Sequence, residues 1–241
     1  MARSAGGKGG SGRGRPTGRN LTVRVKTAKG RKSSSTRWLQ RQLNDPFVAE
    51  ARKQGYRSRA SFKLIQLDEK YGLFRKGQRV ADLGAAPGGW TQVAVERVRP
   101  EETGGAVVAI DIQDMDGITG AIVMKLDILD EDAPKRLKEA LGGPADLVIS
   151  DMAAPVTGHR STDHLRTLAL CEAAFAFACE ALAVGGTFVA KAFAGGAQAE
   201  LMAQINPAFE KVRTVKPEAS RSESPETYIV ATGFRGLRRG G

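Results

Sequence analysis

One short segment, residues 80–90, constrains the fold of this chain more than any other. An apolar run there passes into a tight turn of small residues and then into an amphipathic stretch, which is the order of a strand, a glycine turn and a helix. The turn departs from the Gly-x-Gly-x-x-Gly pattern of dinucleotide-binding proteins, because Ala86 and Pro87 occupy its middle and the glycines follow. It therefore favours an adenosyl ligand without phosphates, and an ordinary βα turn is the plainer interpretation.

Hydrophobic periodicity predicts strands and helices in alternation along most of the chain. Near-continuous apolar strands such as residues 147–149 indicate burial on both faces, so we predict an α/β fold with a mostly parallel sheet and helices on both sides. Only the loop 217–225 separates the last two strands, which suits an antiparallel end to the sheet. The seven predicted strands are 79–83, 106–110, 122–125, 146–150, 186–191, 211–216 and 227–232, and the predicted helices are 58–71, 89–99, 132–141, 162–183 and 198–205.

Positive charge is concentrated at the amino terminus. Residues 1–44 contain 12 Lys and Arg and no acidic residue, whereas the remaining 197 residues contain 25 basic and 26 acidic side chains. Residues 1–36 are too polar and too rich in glycine to build a core, so we predict a disordered basic arm. Such an arm attracts polyanions through phosphate contacts, with a solubilising tail as the alternative. We predict one globular domain over residues 37–236 and a short basic tail over residues 237–241.

The sequence contains no pattern of a secretory signal or a membrane span. Its most apolar long segment, residues 168–184, is interrupted by Glu172 and Glu180, which is typical of a buried helix. Cys171 and Cys179 are eight residues apart on that helix, about 12 Å along its axis, too far for a disulfide. Two cysteines and two histidines give no recognisable metal-ligand spacing. We expect a cytoplasmic monomer without a metal or a membrane partner.

Polar side chains fall where the predicted strands end, at the edge where open α/β sheets bind ligands. Asp82 ends the first strand, Asp111 ends the second and Asp127 follows the third. Asp151 ends the fourth strand and Lys191 the fifth. An acidic residue after the second strand suits hydrogen bonds from ribose hydroxyls, and Asp127 suits an adenine amino group. A cap or a turn explains each aspartate alone, but their convergence favours a site.

Five segments of the chain share a further pattern, namely residues 56–64, 80–92, 150–153, 188–193 and 228–233. Together, and in this order over residues 45–234, they resemble the FtsJ/RrmJ family of S-adenosylmethionine-dependent ribose 2′-O-methyltransferases. The resemblance implies a Rossmann-like methyltransferase fold with S-adenosyl-L-methionine as the cofactor. It implies cofactor contacts from Gly88, Trp90, Asp111, Asp127 and Asp151. The glycine turn and the end of the first strand add Asp82, Gly84 and Gly89 to the predicted cofactor-binding set.

The same resemblance implies a Lys-Asp-Lys-Glu tetrad at Lys63, Asp151, Lys191 and Glu226. A ribose hydroxyl is a weak nucleophile and a sulfonium methyl needs no metal, so positioning and proton removal are the tasks that remain. In this interpretation Lys191 is either the proton acceptor or the group that stabilises the developing alkoxide. The second lysine favours a neutral amine, and the two carboxylates orient the amines.

Helical spacing alone gives Lys63 a plainer interpretation. It shares one helical face with Arg59, Gln66 and Lys70, which is typical of a solvated basic surface. The same face is suited to binding RNA phosphates, together with the neighbouring cations of Arg52, Lys53 and Arg57.

The resemblance implies methylation of a uridine ribose in the A-loop of 23S rRNA, with the 50S subunit as the partner. Relatives in the superfamily act on tRNA or mRNA-cap ribose, so these substrates are alternatives. A non-catalytic RNA-binding assembly factor and a nicotinamide-dependent oxidoreductase are alternatives from other classes. The intact tetrad residue types weigh against the assembly factor, and the missing Gly-x-Gly-x-x-Gly pattern weighs against the oxidoreductase.

Overall fold

The structure is a computed structural model that describes residues 33–154, 157–195 and 197–236. The chain divides into two compact units, Met1–Glu50 and Ala51–Gly241. Most of the predicted basic arm, residues 1–32, and the predicted basic tail, residues 237–241, lie outside the described residues. The last four residues of the predicted arm are helical instead, because a helix begins at Ser33.

Helices and strands alternate through the larger unit, as the hydrophobic pattern predicts. The elements in chain order are α1 Ser33–Asn44, α2 Pro46–Gln54, α3 Ser61–Tyr71, β1 Arg79–Leu83, α4 Gly89–Val98, α5 Pro100–Thr103, β2 Ala106–Asp111, β3 Ile122–Lys125, α6 Ala133–Leu141, β4 Ala145–Ser150, α7 Arg160–Ala181, β5 Leu182–Phe193, α8 Ala197–Ala208, β6 Phe209–Val215 and β7 Glu226–Phe234.

The strands form one seven-stranded sheet in the order β3-β2-β1-β4-β5-β7-β6. The first five strands in this order are parallel, and β7 runs antiparallel to both β5 and β6. The predicted mostly parallel α/β sheet with an antiparallel end is therefore confirmed. The sequence did not predict that β7 lies between β5 and β6. Its apolar centre is buried on both sides, whereas the charged β6 takes the edge, where charges discourage further strand pairing.

Side chains from opposite faces of the sheet pack into two hydrophobic clusters. Along β5 they alternate, so that Phe188 packs towards α6, α7 and α8, and Val189 packs towards α3 and α4. Aromatic rings of Phe175, Phe188 and Phe209 fill the first cluster. Both faces of the sheet are thus covered, which leaves its edges and loops as the places for a site.

The prediction from the sequence missed three helices and misplaced the start of a fourth. Helix α3 begins at Ser61 rather than residue 58, because the preceding residues form a turn in which the Ser61 amide donates to the Ser58 carbonyl. Helix α2 was missed, although the Asp45 side chain accepts from the Phe47 amide and a proline occupies the first helical position. These are ordinary signals of a helix start. Helices α1 and α5 were also missed.

Each helix in the described ranges is too short or too polar to cross a membrane. Cys171 is buried, Cys179 is partly buried, and both are free thiols, in agreement with their predicted separation. Burial raises the pKa of Cys171 to about 12, which makes this thiol unreactive.

The ring of Phe188 is fully buried and lies 6.0 Å from that of Phe175 and 6.4 Å from that of Phe209. We expect Phe188→Ala to lower the free energy of unfolding by about 3–5 kcal/mol, because it leaves a cavity in this cluster. The control is Val184→Ala on the same strand, where the residue is 78% exposed and a change within about 0.5 kcal/mol is expected. Denaturant unfolding measures both, and equal losses would contradict this packing.

Candidate active site

A cavity of about 560 Å³ opens at the carboxyl edge of the sheet, between the loops that follow β1 to β4 and the side of α7. Three carboxylates line it, those of Asp111, Asp127 and Asp151. The only basic side chain among the described lining residues is that of Arg166 on α7. Apolar side chains such as Ile112 and Leu129 complete the wall. An acidic and apolar cavity of this kind suits a cationic organic ligand better than a diphosphate.

Gly84 allows the glycine turn to pass directly beneath the loop after β4. Its φ is +75°, a left-handed conformation that favours glycine, and a Cβ atom there would overlap the side chain of Met152. Both residues line the cavity. The chain segment that this turn approaches is the one carrying Asp151.

Asp111 and Asp127 line the cavity and also stabilise the local backbone. The carboxylate of Asp111 accepts hydrogen bonds from the Ala86 amide at 2.9 Å and from the Gln113 amide at 2.8 Å. Asp127 accepts from the Leu129 amide at 3.0 Å. The turn role and the lining role are both present, because each carboxylate oxygen has lone pairs for a further donor.

The other residues predicted to contact the cofactor lie outside the cavity lining. Gly88 and Gly89 approach Arg57 and Ser61 so closely that a Cβ atom at either glycine would meet these side chains. The indole of Trp90 is buried, and its Nε1 donates to the Ala60 carbonyl at 2.8 Å. The structure therefore places this part of the motif against the start of α3, on the side of the glycine turn that faces away from the cavity.

Asp82 also lies behind the glycine turn, fully buried at the end of β1. Its Oδ2 accepts a hydrogen bond from the Thr91 hydroxyl at 2.6 Å, whereas no described residue bonds its Oδ1. Burial raises the pKa of Asp82 to about 7. The Thr91 hydrogen bond opposes this rise, and the carboxylates of Asp151 and Asp111 add to it.

The four tetrad residues lie together at the ends of α3, β4, β5 and β7. Lys191 Nζ lies 2.8 Å from Asp151 Oδ1 and donates to the Asp151 carbonyl at 2.9 Å. Lys63 Nζ lies 2.8 Å from Glu226 Oε1. Tyr228 joins the two pairs, because its hydroxyl accepts from Lys63 at 3.1 Å and donates to Asp151 Oδ1. The result is one continuous chain of polar groups.

Charge pairing dominates the electrostatics of this cluster. Burial by itself would raise the pKa of Asp151, but the ammonium groups of Lys191 and Lys63 hold it below its ordinary value. The pKa of Glu226 is likewise lowered, because Lys63 outweighs the effect of burial. Burial and the two carboxylates raise the pKa of Tyr228 well above its ordinary value, so its hydroxyl remains a donor.

Sequence reasoning assigned no role to Tyr228. The antiparallel register puts Tyr228 directly opposite Lys191, so both side chains point to the same face of the sheet. The only signal in the sequence was its place in the last family segment, because register follows from the pairing of β5 with β7. Its phenol ring is fully buried and packs 5.6 Å from the indole of Trp90.

The face of α3 that carries Lys63 is not a solvated basic surface, which corrects the plainer interpretation of that helix. Lys63 is only 6% exposed. One turn on either side of it, the Arg59 guanidinium donates to the Ala219 carbonyl and the Gln66 side chain accepts from the Ala219 amide at 2.8 Å. Ala219 belongs to the loop that leads into Glu226, so α3 positions both partners of one ion pair.

Arg57 has a similar structural role on the other side of the site. Its guanidinium donates to the carbonyls of Asp116 and Gly117 at 2.7 Å, and to that of Pro87 at 3.3 Å. It thereby joins the glycine turn to the loop after β2.

Two glutamates lie in or next to the loop before β7, and the structure pairs Glu226 with Lys63. Glu223 is exposed, and its carboxylate accepts a hydrogen bond from the Ser222 hydroxyl.

The pKa of Asp82 is about 7 in the folded chain, whereas an ordinary aspartate, as in the unfolded chain, has a pKa near 3.8. Between pH 3.8 and pH 7 the folded chain therefore holds a proton on Asp82 that the unfolded chain has lost. We expect stability to fall as pH rises through this window, by up to about 1.4 kcal/mol per pH unit. Asp82→Asn should flatten the slope, and Asp114→Asn, at an exposed ion pair, should leave it unchanged. Urea unfolding from pH 5 to pH 7.5 measures this, and identical slopes in all three proteins would refute it.

One family of known proteins matches this chain over most of its length. The sequence model of the family described as FtsJ-like methyltransferase matches residues 56–234 of this chain. A protein of Paramagnetospirillum magneticum named ribosomal RNA large subunit methyltransferase E is 62% identical over 239 residues, which are 97% of this chain and 96% of the relative. A Rhodospirillum rubrum protein of the same name is 59% identical over 93% of this chain and 86% of the relative.

Similarity extends to a solved structure. A Plasmodium falciparum protein, provisionally described as a ribosomal RNA methyltransferase, superimposes with a TM-score of 0.68 at 31% identity. The superposition covers 76% of this chain and 100% of that one. From the family match, the near full-length relatives and this shared architecture, the chain belongs to the FtsJ-like methyltransferase family.

Proposed function

We propose that this protein transfers a methyl group from S-adenosyl-L-methionine to the ribose 2′-hydroxyl of a uridine in the A-loop of 23S rRNA, on the 50S subunit. The observation that carries the proposal is the position of Asp151, which lines the cavity and also binds Lys191. The names of the relatives support large-subunit rRNA as the substrate. The uridine and the A-loop follow from the family resemblance. Such a substrate implies a cytoplasmic protein, which we expect to act as a monomer.

The cavity residues fit the proposed cofactor. S-adenosylmethionine carries an electrophilic methyl group on a cationic sulfur, and its adenosyl group contributes ribose hydroxyls and an aromatic purine but no phosphates. Carboxylates of Asp111, Asp127 and Asp151 suit its positive charge and hydrogen-bond donors, and Ile112 and Leu129 suit the purine. We propose these residues, together with Gly84, as the cofactor-binding set.

Lys191 is the group that we propose to face the 2′-oxygen. An ammonium has three N–H donors, and two of them bind the Oδ1 and carbonyl oxygens of Asp151. The third position on this nitrogen is left for the substrate. As an N–H donor it stabilises the developing alkoxide, and as the lone pair of the neutral amine it accepts the hydroxyl proton while the oxygen–carbon bond forms.

Lys63 and Glu226 complete the proposed tetrad without lining the cavity. Their ion pair, through Tyr228, fixes the orientation of the Asp151 carboxylate and hence of Lys191. Lys63 also adds a second positive charge close to the reacting oxygen. We therefore propose orientation and charge balance as their tasks, and direct contact with the reacting oxygen as that of Lys191.

Lys191→Ala is expected to lower single-turnover methylation of 50S particles at least about 1000-fold, because it removes the only proposed contact to the 2′-oxygen. The Kd for S-adenosylmethionine should change less than about twofold, since Lys191 does not line the cavity. Transfer of labelled methyl groups to 50S subunits from a strain lacking the protein measures the rate, and mapping identifies the nucleotide.

Lys125→Ala is the matched control, because this lysine also ends a strand of the sheet but is exposed and pairs with Asp114. It should retain normal activity. Normal single-turnover methylation by Lys191→Ala would refute the assignment of Lys191. Label on tRNA and none on 50S particles would replace the rRNA proposal by a tRNA one.

The basic arm is the second part of the proposal. Residues 1–32 contain ten Lys and Arg and no acidic residue, and we propose that they bind rRNA phosphates. Their deletion should weaken binding to rRNA and reduce the slope of log K against log salt by about 0.7–0.9 for each phosphate that the arm neutralises in the intact protein. Methyl transfer at saturating substrate should persist, because the tetrad is intact. An unchanged salt slope would rule out this role for the arm.

A further inference from the structure

An aromatic pair lies beyond Lys191 at the same edge of the sheet. Phe193 is the last residue of β5, and its ring centroid lies 5.9 Å from that of His164, in the first turns of α7. Both side chains are partly exposed. Gly195 makes room for this arrangement, because a Cβ atom there would lie 2.8 Å from the imidazole.

The sheet register puts Phe193 on the face where the tetrad lies. Its partner on β7 is Glu226, and the partner of Lys191 is Tyr228, so all four side chains leave the sheet on one side. Phe193 lies two positions beyond Lys191 along the strand, at a distance of about 7 Å. The cavity lies on the other side of Asp151, at the ends of β1, β2 and β4. Lys191 is therefore flanked by the cavity and by the aromatic pair.

Phe193 does not pack into the hydrophobic core. Among the described residues, the two hydrophobic clusters account for the other aromatic rings next to the tetrad, Trp90 and Tyr228, and Phe193 belongs to neither cluster. Trp90 and Tyr228 are buried and donate hydrogen bonds within the protein. Phe193 is thus an apolar side chain that lies at the site without being part of the hydrophobic core.

We propose that Phe193 and His164 form the binding site for the base of the nucleotide that is methylated, and that the base stacks on this aromatic pair. The inference rests on the proposed ribose 2′-hydroxyl as the methyl acceptor. The base is attached to the ribose carbon next to the one that bears this hydroxyl, so it must lie within a few ångströms of Lys191. Phe and His rings are among the side chains on which proteins stack unpaired RNA bases.

Phe193→Leu tests the stacking, because leucine keeps an apolar side chain but lacks the planar ring. We expect the KM for 50S particles to rise about tenfold, equivalent to about 1.4 kcal/mol and within the range for one stacked base. The Kd for S-adenosylmethionine should stay unchanged. Phe193→Tyr keeps the ring and should remain within about twofold of the wild type.

His164→Ala provides a second variant, with an expected rise in KM of a few-fold. Leu165→Ala is its control, because this neighbour on α7 is 60% exposed and has no proposed contact to the base. A wild-type KM in Phe193→Leu would overturn the inference. So would a loss in cofactor affinity of the same size as the rise in KM, because that indicates a structural role for Phe193.

A binding measurement separates this inference from the proposed function. Uridine 5′-monophosphate, at millimolar concentration, should shift the imidazole proton resonances of His164 through the ring current of a stacked base. That shift should disappear in Phe193→Leu. If the wild type shows the shift but does not methylate 50S particles, the base site is supported and the proposed substrate fails. Unchanged His164 resonances in the wild type would refute the base site.

Discussion

The pairing of buried charges is the constraint on which the site depends. Four ionisable groups, those of Lys63, Asp151, Lys191 and Glu226, are at most 17% exposed, and each would be costly to bury alone. They alternate in sign along one hydrogen-bonded chain with Tyr228 at its centre. Because α3, β4, β5 and β7 each contribute to this chain, a displacement of any one of these elements would leave a charge unpaired.

Helix α3 connects this polar chain with the rest of the edge. At its start, the Ser61 hydroxyl donates to the Gly89 carbonyl and the Ala60 carbonyl accepts from the Trp90 indole, which joins the helix to the glycine turn. Arg59, just before the helix, and Gln66 within it bind the peptide groups of Ala219. One helix thus sets the relative positions of the glycine turn, Lys63 and the loop before Glu226. This explains why Gly89 adjoins the Ser58 and Ser61 side chains rather than open space.

Local patterns predicted the strands well, because each buried strand has an apolar run bounded by turn residues. Bounds of β1 and β3 agree fully with the prediction. The residue types at the strand ends also predicted that Asp111, Asp127 and Asp151 meet at this edge, whereas Asp82, predicted with them, is buried behind the glycine turn. What the sequence could not give depends on pairing between distant segments: the place of β7, the bond from Tyr228 to Asp151, and the burial of Lys63 under the loop at Ala219. The periodicity of hydrophobic residues predicts a single helix or strand. Each of these contacts instead joins two elements that are far apart in the sequence.

The insertion of β7 between β5 and β6 affects how the chain folds during translation. Glu226 and Tyr228 lie on the last strand, so a nascent chain that has already made the glycine turn and Lys191 still lacks both. Until β7 emerges, the edge of β5 is unpaired and the two lysines lack one of their carboxylates and the tyrosine between them. The proposed methyl-transfer centre is therefore complete only once β7 has joined the sheet, and a chain that lacks this strand lacks part of the site.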